Sequence, residues 1–501
     1  MKTEFDIIII GGGINGAGIA RDASGRGYSV ALIEMNDLAS GTSSWSTKLI
    51  HCGLRYMEQF QFRLVREALL EREKLLEIAP YIIRPLKFIL PHSPSLRPAW
   101  IIQIGLVIYD YIAKRKYLAP SKKIKLNKTK IQNPLKEKFK VGFEYSDCKV
   151  EDARLVILNA LDAKNRSAVI LTNTKVIKAN NENGIWELVT KSTNKKKSSK
   201  QIKLKSKVLV NASGPWTDKT ISVIDKKRHN QKNIRLIKGS HIVVPKLYNH
   251  NKAYIFQHHD GRVIFSIPFE KNFTLIGTTD EPFEGNLSNP KISDKETHYL
   301  CEAASTYFKK NISPKEIIWT YSGVRSLFDD GKLDAKDITR DYTIEEKIVN
   351  ELLYISVFGG KITTYRKLSE AVLKIVDKKF KKNTKSWTAE KSLPGGDFSP
   401  LEFNSLLENY KKRFSFIDTG TIERLFGSYG TNLEKILGNK SNIKQLGIDF
   451  GKGLYECEVD YLIKNEWALN LSDIIWRRSK LGLVLNKAEL QRLNNYIISR
   501  N

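Results

Sequence analysis

Gly11, Gly13 and Gly16 follow the apolar run Asp6 to Ile10 directly, in the spacing G-x-G-x-x-G. That spacing suits the holding of a pyrophosphate. The first glycine permits a tight turn out of a strand, the second lets the backbone approach the phosphates, and the third lets the next helix pack close to the strand. The start of that helix then offers free N–H groups to negative charge. Glu34 stands 18 positions after Gly16, about where an acid that binds ribose hydroxyls is expected. A purely structural glycine loop needs neither the acid nor this order of parts.

A βαβ unit must position these groups. Asp6 to Ile10 reads as a strand buried on both faces. Ala17 to Arg26 reads as a helix closed by Gly27, and Tyr28 to Glu34 as a second strand that ends on the acid. NAD enzymes share this opening. Two later segments favour FAD: Val208 to Trp216, a strand running into small residues, and Leu353 to Arg366, a strand, a Gly359-Gly360 turn and a new helix start. An extended FAD needs several separated loops to line it from adenine to isoalloxazine. Taken singly, each segment reads equally well as a tight strand end.

The chain has 501 residues, which suggests two or three domains, and 41% hydrophobic with 27% charged residues indicates a folded, soluble protein. The net charge of +29 favours anionic partners: nucleic acid, acidic lipid or a phosphorylated substrate. A lysine-rich solvated surface accounts for the excess equally well. Cys52, Cys148, Cys301 and Cys457 lie far apart with no CxxC pair, so neither zinc-site spacing nor a disulfide scaffold is present. No metal site and a reducing, cytoplasmic compartment are expected. The N-terminal apolar run opens into glycines and reads as a strand, not a signal peptide. No stretch reaches the roughly 18 apolar residues of a membrane-spanning helix.

Further along, the polar loop Ala39 to Thr47 leads into Lys48 to Tyr56, and Phe62 to Ile78 has the pattern of a charged, amphipathic helix. Pro80, Pro85, Pro91, Pro94 and Pro98 are expected to break the next segment into turns. Residues 141 to 270 alternate short β-rich runs with polar turns, and Lys191 to Lys205 reads as a hairpin tip or a mobile loop. A helical pattern runs from Tyr365 to Phe380. Beyond Pro394-Gly395-Gly396, residues 397 to 501 read as a mostly helical, separate domain.

Along nearly its whole length the chain resembles the bacterial FAD-dependent glycerol-3-phosphate dehydrogenases of the aerobic, quinone-linked type. The resemblance is carried by Ile10 to Ala23, Lys48 to Tyr56, Gly142 to Asp147, Asp152-Ala153-Arg154, Val210 to Trp216 and Arg235 to His241. Gly277 to Asp280, Tyr321 to Arg325, Ile338 to Tyr342, Ser356 to Arg366, Glu466 to Leu469 and Trp476-Arg477-Arg478 continue it. Two positions depart from the family: Cys52 replaces a usual glycine, adding a thiol near the expected flavin loop, and Ser326 replaces a usual proline, loosening the backbone beside Arg325.

The resemblance implies oxidation of sn-glycerol 3-phosphate to dihydroxyacetone phosphate, with hydride passing to flavin N5 and electrons to a membrane quinone. Such a reaction needs a base for the hydroxyl proton and a cradle for a phosphate dianion, which guanidinium forks suit. By the resemblance, His241 is the expected base and Arg325 a catalytic partner that polarises the hydroxyl. Arg55, Tyr56, Arg340 and Lys361 are expected to bind substrate. FAD is expected against Gly11, Gly13, Ile14, Asn15, Gly16, Glu34, Ser43, Ser44, Lys48, Leu49, His51, Ala212, Gly214, Gly360, Lys361, Thr363 and Thr364.

The fold so implied is α/β: an FAD-binding Rossmann-like domain of the glutathione-reductase/amino-acid-oxidase type. It comprises residues 1–80, 141–220 and 340–385, with a β-rich substrate-binding, membrane-facing domain of 81–140 and 221–339 and a helical C-terminal cap of 395–501. The quinone implies a protein attached peripherally to the inner face of the cell membrane. Trp100 to Ile112, followed by Lys114, Arg115 and Lys116, suits either an interfacial helix on acidic lipid or an ordinary buried helix. Oxygen is the alternative acceptor. A flavoprotein that binds nucleic acid is a second alternative, but no nucleic-acid motif is present, and no nucleic-acid partner is expected. The C-terminal domain is compatible with homodimerisation or regulation, and its residues favour neither.

Overall fold

The computed structural model describes residues 2–53, 57, 61–93, 98–126, 133–182, 184–194, 201–228, 231–329 and 341–500. Its first layer is an eight-stranded sheet. Five of its strands are parallel neighbours in the order Leu352–Phe358, Gln201–Asn211, Glu4–Ile10, Val30–Ile33, Val169–Leu171. Alternate side chains bury both faces. Ile7, Ile9, Val208, Val210 and Ile355 share a cluster with residues of the helices Ile14–Gly25, Asp152–Asn165 and Tyr365–Phe380. Ile8, Ile10, Leu209 and Tyr354 face the opposite way, against Trp186, Leu188 and Ile221. A slip of one residue would exchange these two sets, so the pattern itself fixes the register.

The hairpin expected around Lys191 to Lys205 is formed by Ile185–Ser192 and Gln201–Asn211; its tip, 195–200, lies outside the described residues. A second, ten-stranded sheet carries the other wall of the site. Its strand Ile234–Pro245 lies between Trp319–Phe328 on one side and Phe273–Gly277 and Glu281–Pro282 on the other. His241 is therefore opposite Tyr321 on one neighbour and Gly277 on the other.

Two sequence readings change here. Residues 141–150 were expected with the cofactor-binding segments, yet Val141–Val150 pairs antiparallel with all ten residues of Ile83–His92 in the second sheet. Pro85 and Pro91 were expected to make turns but lie inside that strand. Its parallel ladder to Ala253–Gln257 extends only over Phe88 and Ile89. Both prolines sit beyond it, where a missing N–H removes no ladder bond.

The helix Phe62–Ile78 has the predicted bounds, as does Tyr365–Phe380. Residues beyond 400 form mainly helices, among them Thr419–Tyr429, Glu456–Glu466 and Lys487–Arg500, with a π-helical turn at Asp473–Arg478. This region does not have a core of its own. Leu425, Phe426, Leu433 and Ile474 belong to the same buried cluster as Leu75, Tyr81 and Ile157. At the junction the backbones touch: a Cβ on Gly430 would lie 1.9 Å from the carbonyl oxygen of Gly395.

Candidate active site

A cavity of about 1100 Å³ runs between the two sheets, from the glycine turn to His241 and Arg325. Its nucleotide end is built by close backbone approach. Gly11 has φ +114°, and a Cβ there would lie 2.4 Å from the Ala212 carbonyl oxygen. A Cβ on Gly16 would lie 1.9 Å from the Gly11 carbonyl oxygen, so this glycine packs helix on strand and does not line the cavity. Ser43 Oγ accepts from the Ile14 N–H at 3.0 Å. The Glu34 carboxylate accepts from the N–H groups of Gly12 (2.6 Å) and Asn36 (2.8 Å). Desolvation raises its pKa above the ordinary value, and those N–H groups oppose the shift.

Gly11, Gly13, Ile14, Asn15, Glu34, Ser43, Leu49, His51, Ala212, Gly214, Gly360, Lys361 and Thr363 all line the cavity. Ser44, Lys48 and Thr364 do not. Lys48 was expected against the cofactor. Its buried ammonium instead bonds both carboxylate oxygens of Asp152, at 2.9 and 3.0 Å, because a charge removed from water needs a counter-charge. Thr364 is the residue before the helix Tyr365–Phe380. Arg55, Tyr56 and Arg340 lie outside the described residues.

At the other end, His241 is buried. Its Nε2 lies 3.0 Å from Thr47 Oγ1, and its ring stacks on Tyr321 with centroids 4.7 Å apart and planes 16° apart. The strand next door makes room: a Cβ on Gly277 would lie 2.1 Å from His241 Cδ2. Nδ1 has no hydrogen-bond partner among the described residues. Burial, reinforced by the Arg325 and Lys48 charges, holds the imidazole pKa well below its ordinary value. The ring is therefore neutral at physiological pH and able to accept a proton.

Arg325 pairs with Asp280, and both line the cavity. Gly239 leaves space for this pair: a Cβ there would lie 2.8 Å from Arg325 Nη2. Thr47, Asp280 and Tyr321 were given no role from sequence. Asp280 and Tyr321 belong to segments that carry the resemblance, whereas Thr47 only ends the polar loop Ala39 to Thr47.

The two departures from the family are both accommodated. Cys52 is buried in the second core cluster, and burial pushes its thiol pKa up; the thiol is not a cavity group. Ser326 lies inside the paired strand Trp319–Phe328, opposite Leu236, so the ladder holds the backbone beside Arg325.

The cavity's own residues fit FAD. The glycine turn has no room for side chains, the helix after it begins without a side-chain cap, and Asn15 Oδ1 is buried with no partner among the described residues. A parallel sheet with such a turn, opening onto a second sheet that presents a neutral imidazole and a guanidinium, defines an FAD-dependent oxidoreductase.

Residues 6–355 match the family model described as FAD dependent oxidoreductase, and residues 386–497 match the C-terminal domain of alpha-glycerophosphate oxidase. The chain is 45% identical over 502 residues to a glycerol-3-phosphate dehydrogenase of Pseudomonas aeruginosa, covering 100% of this chain and 96% of that one. It is 44% identical over 501 residues to the aerobic glycerol-3-phosphate dehydrogenase of Escherichia coli K12, covering 99% and 98%. The crystal structure of the glycerol-3-phosphate dehydrogenase from Bacillus halodurans complexed with FAD superposes with a TM-score of 0.76 at 26% identity, covering 99% and 94%. The chain belongs to the family of FAD-dependent glycerol-3-phosphate dehydrogenases.

Proposed function

We propose that this protein oxidises the secondary hydroxyl of sn-glycerol 3-phosphate to give dihydroxyacetone phosphate, and that a membrane quinone is the final acceptor. The observation that carries this reading is the neutral, buried His241 facing the same cavity as Arg325 and Lys361. FAD supplies, when bound, the acceptor for the two electrons that leave with the C–H hydrogen. His241 takes the hydroxyl proton on its neutral ring. The Arg325 guanidinium holds the hydroxyl oxygen and stabilises negative charge developing on it. Lys361 attracts the phosphate, and the hydrophobic walls of the cavity keep water from the reacting carbon.

The acceptor's location is supported by the helix Ala99–Tyr111. Trp100, Ile101, Ile104, Val107, Ile108 and Tyr111 are exposed, Trp100 at 64% and Tyr111 at 79%. At 3.6 residues per turn they cover one face about 120° wide. Leu106 and Tyr109 are buried on the opposite face. Such a stripe, followed by Lys114, Arg115 and Lys116, suits an anionic lipid surface. Among the described residues no helix is long and apolar enough to cross a membrane.

The test is anaerobic. sn-Glycerol 3-phosphate is added to the purified flavoprotein, with glycerol, NADH and a four-carbon polyol phosphate as controls. Loss of the oxidised flavin absorption band with glycerol 3-phosphate alone is expected. A bound flavin that stays oxidised would remove the substrate assignment. Rapid oxygen uptake without quinone would replace the proposed acceptor.

A further inference from the structure

The C-terminal region reaches the site at two places through three consecutive residues. Trp476, Arg477 and Arg478 lie in the π-helical turn Asp473–Arg478. Turns of this kind are frequent at functional sites. None of the three lines the cavity.

The Trp476 ring stacks on Trp319, with centroids 4.4 Å apart and planes 7° apart. Trp319 packs on Tyr321 at 5.0 Å, and Tyr321 stacks on His241 at 4.7 Å. Trp45, a cavity residue, closes the group from the side against both Trp319 and Tyr321. An unbroken line of rings thus runs from the C-terminal region to the imidazole. Gly482 leaves space for its outer end, since a Cβ there would lie 2.6 Å from the Trp476 ring.

The next two residues hold the opposite bank. Arg477 Nε donates to Asp37 Oδ2 at 2.5 Å, and Arg478 pairs with both oxygens of the same buried carboxylate. Asp37 lies between Glu34 and Asn36, which line the cavity, and Ala39, whose N–H donates to the Gly12 carbonyl oxygen at 3.0 Å. The segment beside the nucleotide end is therefore clamped to the glycine turn on one side and to the two arginines on the other. Planar guanidinium groups fix a carboxylate in orientation as well as position.

We propose that the C-terminal region completes the active site through this turn: Trp476 is a positioning residue for His241, and Arg477 and Arg478 are positioning residues for the dinucleotide-binding segment. The brace keeps the imidazole in a dry wall. Among the described residues, the charged or polar groups facing that ring are Thr47 and Lys48 from the loop before Leu49–Ile50, and Tyr321 and Arg325 from Trp319–Phe328; Phe273–Gly277 presents Gly277. A loosened stack admits water, relieves the desolvation and lets the imidazole titrate nearer its ordinary range.

The experiment compares holoenzyme variants Trp476→Ala, Trp476→Phe and Arg478→Lys. Steady-state rates are measured with glycerol 3-phosphate and a soluble dye from pH 5 to 8, and FAD release on dilution is followed by flavin fluorescence. Trp476→Ala is expected to lower kcat about tenfold with KM changed by less than about twofold, and to move the acid limb of kcat upward; Trp476→Phe restores both. Arg478→Lys is expected to weaken FAD retention about tenfold. A wild-type acid limb in Trp476→Ala, or wild-type FAD retention in Arg478→Lys, overturns the corresponding half. If Trp476→Ala does not fold, Trp476→Leu takes its place in the same assay. The inference rests on His241 as the base. A fully active His241→Gln protein would remove that reading, whereas an inactive His241→Gln beside an unaltered Trp476→Ala would remove the inference alone.

Discussion

His241 is held neutral by its surroundings, and this sets its expected behaviour. His241→Gln keeps the size of the side chain but cannot cycle a proton, so kcat should fall by about 10²–10⁴ with FAD still bound. Because burial depresses the folded-state pKa, the unfolded chain binds the extra proton at pH values between the two pKa values. Stability contributed by the neutral ring is present above about pH 6.5 and is lost as pH falls below it. Urea unfolding at pH 5.5 and 7.5 should therefore show a larger acid loss for the native protein than for His241→Gln.

Gly277→Ala tests the same wall from its other side. The added methyl would lie 2.1 Å from the ring, so the ring must move; an overpacking cost of about 1–3 kcal/mol in melting studies and a fall in kcat are expected. The glycine turn could be read from sequence because its chemistry is local. The setting of His241 could not, since Thr47 is 194 residues away along the chain. The pairing of Lys48 was hidden for the same reason: Asp152, 104 residues on, holds its ammonium.

At the scale of elements, the helix Ala99–Tyr111 carries the clearest expectation. Its sequence is apolar nearly all round, which left burial and lipid contact equally open. The structure buries Leu106 and Tyr109 and exposes the stripe from Trp100 to Tyr111. Each large apolar side chain withdrawn from water contributes about 1.5–3 kcal/mol, so Trp100→Ser with Tyr111→Ser should weaken sedimentation with anionic vesicles at least about tenfold. Turnover with a soluble dye should be unchanged. Equal sedimentation of variant and native protein would place the lipid contact elsewhere. Phe62–Ile78 and Tyr365–Phe380 were legible because their apolar period of 3.6 residues is written in the chain itself. Ile83–His92 was not, because two prolines mask a strand whose partners alone make them harmless.

Across the whole molecule, the C-terminal region is bound to the first sheet's helices by charge as well as by the shared core. Arg154 in Asp152–Asn165 pairs with Glu466 at the end of Glu456–Glu466, both almost fully buried. Glu466→Gln leaves a buried guanidinium without its counter-charge, which costs about 3–5 kcal/mol. A lower melting temperature with a single calorimetric transition is expected, since one core serves both regions. Two separated transitions would show that the cap unfolds alone.

The order of strands in the first sheet also governs how the chain is made. Glu4–Ile10 leaves the ribosome well before its central neighbour, Gln201–Asn211, and that strand's next parallel partner is Leu352–Phe358. At synthesis rates of about 5–20 residues per second, the first strand waits roughly 10–40 s for its neighbour. During that interval Val30–Ile33 can pair with one edge of the four consecutive isoleucines, Ile7 to Ile10, while the edge that Gln201–Asn211 will cover stays open. The nascent protein is thus an expected client of holding chaperones, and its yield in cells should depend on them more steeply than the stability of the finished fold would suggest.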